Sequence, residues 1–274
     1  MNVGVNYLRE HVIQEARIHY AYLDVGGPAP NVVQETAKLR YFIRAPKVSQ
    51  VLEISERVFD CARGAALMTG CEVTINVSGG YCDLIPNDVL SNVVGESLKE
   101  VGPPEFDEAD RKLALSFFEN YGDSNFESIK SDVFYYTDGM DPTPYLSEPL
   151  VTDIWDYVPK SITRPGGSDA GDVSYIVPTC WLSTACYTNG TAGHSWQATA
   201  QTGSSITHKG MLCAAKAMAL GAVKLFEDPS LVDATKAEHR RVTGEMCIRD
   251  SLCEASHLWA VIDPSLQIVG PVDI

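Results

Sequence analysis

The order of strand and helix patterns in the first 83 residues is the feature that most constrains the fold. Residues 17–23 alternate, with Ile18, Tyr20 and Tyr22 on one side, as in a half-buried strand. The apolar spacing predicts, in order, a helix, two strands, a helix and a third strand, at residues 5–13, 17–23, 39–44, 49–68 and 72–77. That order is a split βαβ arrangement without its first strand. We therefore predict an α+β domain over residues 1–83.

The rest of the chain alternates between helical patterns and long connections rich in glycine and proline. Helices are predicted at 89–101, 107–120, 208–227 and 231–241, and residues 172–188 are predicted to be strand-like. For the helix at 49–68 we expect a buried side made of Val51, Leu52, Val58, Phe59, Ala62 and Leu67. For the helix at 208–227 we expect a buried side made of Leu212, Ala215, Met218, Ala219, Val223 and Phe226. A second domain over residues 84–245 follows from this order.

Charge and cysteine usage argue against several functional classes. The formal net charge is −15 at pH 7, and nucleic-acid binding is not expected because phosphate contacts need clustered lysine and arginine. No run of about 18 apolar residues suits a membrane span, so no membrane role is expected. The eight cysteines form no CxxC pair, which argues against zinc-ribbon and thioredoxin-like sites. Reduced thiols and a cytoplasmic location are the expectation.

We interpret the last 29 residues as having a different origin from the rest of the chain. Residues 246–251, MCIRDS, match the translation of an adapter used in sequencing libraries. We therefore predict that residues 246–274 are a non-native tail that carries no function.

Several polar residues could carry chemistry, and each has a structural alternative. Asp169, after Gly166-Gly167, could bind a cation or an amine at a loop edge, or it could belong to a turn or helix N-cap. His208, at the start of the strongest helical pattern, and His194, in a Gly-rich loop, could be metal ligands or ordinary exposed histidines. Asn31 and Arg44 could bind a carboxylate, or be a turn residue and a surface residue.

Eight stretches in series resemble the zinc-peptidase family that contains carboxypeptidase G, aminoacylases and bacterial amidohydrolases. They are RIHYAY at 17–22, GGPAPNVV at 26–33, YFIRAP at 41–46, GAALMT at 64–69, GPPEF at 102–106, GSDAGDVS at 167–174, GHSW at 193–196 and HKGM at 208–211. The resemblance implies a ferredoxin-like dimerisation lid at 1–83, lacking its first strand. It also implies the C-terminal part of an α/β metallopeptidase catalytic domain at 84–245.

The resemblance also implies the chemistry. Two divalent ions, zinc or manganese, polarise an amide carbonyl and activate a water, with a Glu as general base. The implied substrate is an N-acyl or N-aroyl amino acid of the p-aminobenzoyl-glutamate type, and the implied partner is a copy or a sister subunit joined through the lid. By the same resemblance His208 is a metal ligand and Asn31 and Arg44 hold the substrate carboxylate. The resemblance makes Asp169, His19 and His194 further substrate-binding candidates.

Departures from the family pattern limit what this chain can do. Gln34 stands where the family's loop motif usually ends in proline. The sequence contains neither a Glu-Glu pair nor a His-x-Asp motif, which in the family belong upstream of residue 1. Because a catalytic zinc needs about three protein ligands, we expect the chain alone to hold metal weakly and to be an inactive fragment. The alternatives are a non-catalytic dimerisation or carboxylate-binding module and an aminoacylase-type hydrolase.

Overall fold

The computed structural model describes residues 1–122, 124–159, 166–244 and 267–269. The chain divides into two compact units. The first unit comprises residues 1–84, 166–176 and 245–274, and the second comprises 85–165 and 177–244. The helices are α1 (Asn2–Leu8), α2 (Val48–Thr69), α3 (Asp88–Val101), α4 (Glu108–Phe118), α5 (Ser124–Thr137), α6 (Ala170–Ile176), α7 (Trp196–Thr202), α8 (Ser205–Glu227) and α9 (Pro229–Thr243). The strands are β1 (Arg17–Asp24), β2 (Thr36–Arg44), β3 (Glu72–Val73) and β4 (Gln267–Val269).

The first unit contains a four-stranded antiparallel sheet in the order β1-β2-β4-β3. β1 and β2 form a hairpin in which Ile18 lies opposite Ile43. β4 pairs antiparallel with β2 on one side and with β3 on the other, so β2 and β3 run parallel and α2 connects them. The fold as a whole is α+β, as predicted, although the third strand predicted at 72–77 is formed only at Glu72–Val73. β4, which lies between β2 and β3, comes from the segment 246–274 that we predicted to be a non-native tail.

Helix α2 covers one face of the sheet and forms the core of this unit. Val58 and Phe59 are buried, as predicted, in one cluster with Ile18, Leu39, Tyr41 and Ile43 of β1 and β2, and Ala62 is buried as well. Gly70 ends the helix with a left-handed φ of 68°, and the N–H of Cys71 donates to the carbonyl of Ala66. The prediction for Leu67 is wrong: its side chain is 85% exposed. Leu67 follows the buried Ala66 on the last turn and therefore faces away from the sheet.

The predicted strand at 172–188 is also wrong. In its place α6 begins after Ser168, whose hydroxyl accepts from the N–H of Ala170, and the chain continues without regular structure to Ser195. The Asp172 carboxylate accepts from the N–H of Cys82, and a Cβ on Gly171 would lie 2.0 Å from the carbonyl oxygen of Cys82. Local capping and this close approach select a helix over the strand that composition favours.

Helix α8 is the longest element of the second unit and packs against α3. The contact uses small residues: Ala217 is fully buried, and Gly221 approaches the side chain of Val94. The predicted buried side of α8 is wrong, because the residues named for it are all exposed: Leu212, Ala215, Met218, Ala219, Val223 and Phe226. The buried side is instead Ile206, Gly210, Cys213, Ala217 and Gly221. Both sides of α8 are apolar, so periodicity alone could not select the packed one.

In the described ranges, every regular element of the second unit is a helix. None of the helices described here has the length and apolar character needed to cross a bilayer.

Candidate functional site

The outer face of the β1–β2 hairpin carries two of the predicted site residues. His19 lies opposite Phe42, and Arg44 lies opposite Arg17. All four side chains are exposed, whereas Ile18, Tyr41 and Ile43, which alternate with them along the strands, are buried. His19 and Arg44 are therefore diagonal neighbours on one face, with their backbones roughly 7–8 Å apart across the two strands. The hairpin presents a basic and aromatic surface on a chain whose net charge is −15.

The two arginines of this face are in different environments. Arg17 Nη1 donates to the carbonyl oxygens of Gln14 and Ala16, at 2.6 and 2.8 Å, which holds its guanidinium against the preceding turn. Among the residues that the structure describes, no carboxylate forms an ion pair with Arg44. Its planar fork is therefore free to bind a carboxylate in a bidentate manner.

Asn31 lies at the opposite end of the same hairpin. It is an exposed residue of the loop between β1 and β2, next to the Asp24–Lys38 pair. β2 separates this loop from Arg44 by eight residues, which is about 27 Å of extended chain. The structure therefore does not bring Asn31 and Arg44 together within one copy.

Asp169 belongs to the first unit and lies just before α6. Its carbonyl oxygen accepts from the N–H of Asp172, and its side chain is exposed. The neighbouring Ser168, not Asp169, provides the side-chain oxygen that caps the first turn. Asp169 is thus a helix-start residue whose carboxylate is accessible.

His208 lies in the first turn of α8, in the second unit. Ser204 caps this helix by accepting from the N–H of Thr207, and the N–H of His208 donates to the Ser204 carbonyl. The imidazole is exposed. The residue after it, Lys209, points to α4 and donates to Asp107 at 2.8 Å and to Asp110 at 2.5 Å.

Asp110 is the buried centre of the contacts around this turn. It is 1% exposed and accepts from Lys209, from the hydroxyl of Ser205 and from the N–H of Asp107. Burial works to raise the pKa of this carboxyl, but the hydrogen bonds from Lys209 and Ser205 outweigh it and hold the pKa below its usual range. The hydrogen bonds to Asp107 and Asp110 raise the pKa of Lys209. An ionised pair therefore fixes the turn that carries His208.

A second polar network holds the loop that carries His194. His194 is exposed and adopts a left-handed φ of 57°, immediately before Ser195 caps α7. Gln201 is fully buried: its Oε1 accepts from the N–H of Thr188, and its Nε2 donates to Tyr121 and Thr191. Both the oxygen and the nitrogen of the Gln201 side-chain amide therefore have hydrogen-bond partners. These bonds fix the path of the loop.

The donor set for a metal is incomplete in the described part of the chain. No group of three or more His, Cys, Asp or Glu side chains is placed to hold an ion there. A catalytic zinc takes about three protein ligands, so His208 and its described neighbours do not fit a complete site.

The Asp110–Lys209–Ser205 cluster and the Gln201 network were not predicted from the sequence. The first had a local signal, because Asp107-x-x-Asp110 before an apolar run is a capping box. The contact of Asp110 with Lys209, 99 residues away, had no local signal in the sequence.

Comparisons with known proteins agree on one kind of enzyme. The chain is 34% identical over 247 residues to a p-aminobenzoyl-glutamate hydrolase subunit of Escherichia coli (strain K12), covering 89% of this chain and 51% of that protein. It is 25% identical over 240 residues to Xaa-Arg dipeptidase of Mus musculus, covering 86% of this chain and 43% of that protein. Xaa-Arg dipeptidase of Homo sapiens is 28% identical over 102 residues, which is 36% of this chain and 23% of that protein.

No family model matches the chain. The chain spans about half the length of the curated relatives that it matches over most of its own length.

Proposed function

We propose that this chain is part of a metal-dependent amidohydrolase or peptidase, and that the whole enzyme cleaves the amide bond of an N-acyl or N-aroyl amino acid. The substrate class is that of p-aminobenzoyl-glutamate. The observation that carries the proposal is the 34% identity over 247 residues to the E. coli hydrolase.

The outer face of the β1–β2 hairpin is the proposed recognition surface for the amino-acid carboxylate. Arg44 offers a planar pair of donors, and Arg17 and His19 lie beside it on the same face. Phe42, opposite His19, offers an aromatic surface to the aroyl part of a substrate. Asp169, His194 and Asn31 remain candidates for further substrate contacts.

Assembly through the free edge of β1 accounts for the separation of Asn31 from Arg44. β1 has a neighbour only on its β2 side in the described sheet, and Tyr22 and Leu23 are exposed along it. Antiparallel pairing of this edge with an equivalent strand places the Asn31 loop of one protomer at the Arg44 end of the other. The second strand comes from a second copy or from a sister subunit.

His208 is the proposed metal ligand contributed by this chain. Related families commonly use divalent metals. Because the described residues do not supply the other ligands, no hydrolytic step is assigned to this chain alone, and we propose that it is inactive by itself.

We expect Arg44→Ala to weaken binding of p-aminobenzoyl-glutamate to the purified chain by about 10- to 100-fold, because the variant loses one or two charge-assisted hydrogen bonds to the substrate carboxylate. Arg44→Lys should recover only part of the affinity, because an ammonium cannot bind a carboxylate through a planar fork. Isothermal titration calorimetry measures both values.

The matched control for Arg44→Ala is Arg63→Ala. Arg63 is an exposed arginine of α2 that pairs with Asp60 and Glu56, so its removal should leave the affinity unchanged. Equal affinities for the wild type and Arg44→Ala would contradict the assignment of the carboxylate site.

A non-catalytic carboxylate-binding module is the second candidate function. The observation that favours it is the incomplete donor set around His208 in the described part of the chain. On that alternative the hairpin face binds the carboxylate, and hydrolysis is absent even when the chain is assembled with its partner.

A further inference from the structure

Two arginines lie directly opposite each other on the outer face of the β1–β2 hairpin. Arg17 of β1 is paired with Arg44 of β2, and both side chains are exposed. Opposite residues of an antiparallel pair have Cβ atoms about 5 Å apart, and like charges in that position repel each other. Among the residues that the structure describes, no carboxylate forms an ion pair with either guanidinium. Two neighbouring cations without an anion favour a ligand that carries two negative charges.

Arg17 is held in place through one of its nitrogen atoms and has the others available. Nη1 donates to the carbonyl oxygens of Gln14 and Ala16, at 2.6 and 2.8 Å. The turn that carries these carbonyls is closed by the N–H of Ala16, which donates to the Ile13 carbonyl oxygen at 3.0 Å. Within the described ranges, the N–H groups of Nε and Nη2 have no acceptor. This edge of the guanidinium can bind both oxygens of one carboxylate, and because the group is already fixed, binding costs little side-chain entropy.

A cavity of about 400 Å³ borders Arg17. It is lined by residues 9, 12–14 and 16–20, which include two further basic side chains, those of Arg9 and His19. Of the described residues, no aspartate or glutamate lines this cavity. Its volume lies within the range of about 300–1,000 Å³ that is usual for small-molecule sites. The surroundings of Arg17 therefore suit a small anionic group.

We propose that Arg17 binds the side-chain carboxylate of the substrate's amino acid, while Arg44 binds its α-carboxylate. The proposal rests on the proposed function and restricts its substrates to N-acyl or N-aroyl derivatives of acidic amino acids. The two carboxylates of glutamate are joined by a short, flexible carbon chain, so both can reach a pair of arginines that lie opposite each other. An amino acid with a neutral side chain leaves Arg17 without an anionic partner, and this difference gives the site its specificity.

The test compares p-aminobenzoyl-glutamate with p-aminobenzoyl-glutamine, which has nearly the same shape but no side-chain charge. Isothermal titration calorimetry of the purified chain should show that the glutamate compound binds about tenfold more tightly, because it alone makes the second charge-assisted contact. Arg17→Gln should weaken binding of the glutamate compound by about tenfold and leave binding of the glutamine compound unchanged, so that the preference disappears. Arg17→Lys should keep part of the preference, because the charge remains but the planar fork is lost.

Two control variants separate this role from a structural one. Arg44→Ala should weaken binding of both compounds by the same factor, because both retain the α-carboxylate. Arg57→Gln should change neither affinity, although Arg57 of α2 also donates to a backbone carbonyl oxygen, that of His11 at 2.9 Å. If Arg17 only supported the fold of the turn, its substitution would weaken both compounds equally, so the ratio of the two affinities is the decisive measurement.

Equal affinities of the wild-type chain for the two compounds would overturn the assignment of Arg17 and leave the Arg44 site intact. A preference for glutamate that survives Arg17→Gln, or that disappears in Arg44→Ala, would overturn it as well. If neither compound binds to the wild-type chain, both the assignment of Arg17 and the proposed recognition surface are wrong.

Discussion

Replacing Asp110 with alanine is expected to lower the free energy of unfolding of the second unit by about 2 kcal/mol, because it removes the buried acceptor of several hydrogen bonds and leaves Lys209 with only the exposed Asp107 as its partner. Asp110 is 1% exposed, and the Lys209 side chain is 30% exposed, so water cannot fully replace the lost contact. The variant also removes the oxygen that accepts from Ser205 and from the N–H of Asp107. Urea unfolding followed by circular dichroism measures the change.

The matched control for Asp110→Ala is Glu127→Ala, which breaks the exposed Glu127–Lys130 pair of α5. Exposed pairs contribute little, so a change within about 0.5 kcal/mol is expected. Equal effects of the two variants would contradict the burial of the Asp110 cluster.

The same cluster predicts an acid dependence of stability. Hydrogen bonds hold the folded-state pKa of Asp110 below its unfolded value of about 3.9, so its stabilisation is complete above that value. It is lost as the pH falls through the folded-state pKa, since the folded protein then gains a proton at the cost of the ion pair. The stability difference between wild type and Asp110→Ala should therefore shrink below about pH 4 and stay constant near neutrality.

Gly210→Ala is expected to destabilise the chain by about 2 kcal/mol or more, although alanine is the better helix former by about 1 kcal/mol. A Cβ at residue 210 would lie 2.3 Å from the carbonyl oxygen of Ala185 and 2.8 Å from the sulfur of Cys186. The backbone contact cannot be relieved by a rotamer change, so α8 must move away from the 185–186 segment. Because Gly210 is two residues after His208, the shift also displaces the histidine turn.

The matched control for Gly210→Ala is Gly64→Ala in the interior of α2. A Cβ there meets no other atom within 4 Å, so the variant should be more stable than wild type by about 0.5–1 kcal/mol. If thermal unfolding shows that both variants are stabilised, or both destabilised, relative to wild type, the close packing of α8 on Ala185 is contradicted.

Periodicity predicted the elements well where one side of an element faces water. The helix predicted at 208–227 forms at 205–227, and the strands predicted at 17–23 and 39–44 form at Arg17–Asp24 and Thr36–Arg44. The packed side of α8 could not be predicted, since Leu212 and Met218 look more suited to a core than Gly210 and Ala217 do. Choosing between them depends on the partner that each side meets, which local sequence does not contain.

Non-local pairings also could not be predicted from the sequence. The position of β4 between β2 and β3 joins residues nearly 200 apart or more, and no local pattern specifies such a pairing. The Lys209 contact with Asp110 is equally remote in sequence. Asp169, His194, His208, Asn31, His19 and Arg44 could be selected by residue type and resemblance, and all six are exposed. The proposed metal-binding role of His208, and the proposed position of Asn31 beside Arg44, depend on assembly with further polypeptide.

The most direct test of the proposed function is release of p-aminobenzoate from p-aminobenzoyl-glutamate, with Zn²⁺ or Mn²⁺ present. It should be measured for the chain alone and for the chain co-expressed with the unaligned part of the E. coli hydrolase. We predict no turnover by the chain alone and metal-dependent turnover by the assembled pair. His208→Ala should abolish that turnover, and the exposed-histidine control His11→Ala should retain it. Turnover that survives His208→Ala, or an assembled pair that shows none, would contradict the proposed function.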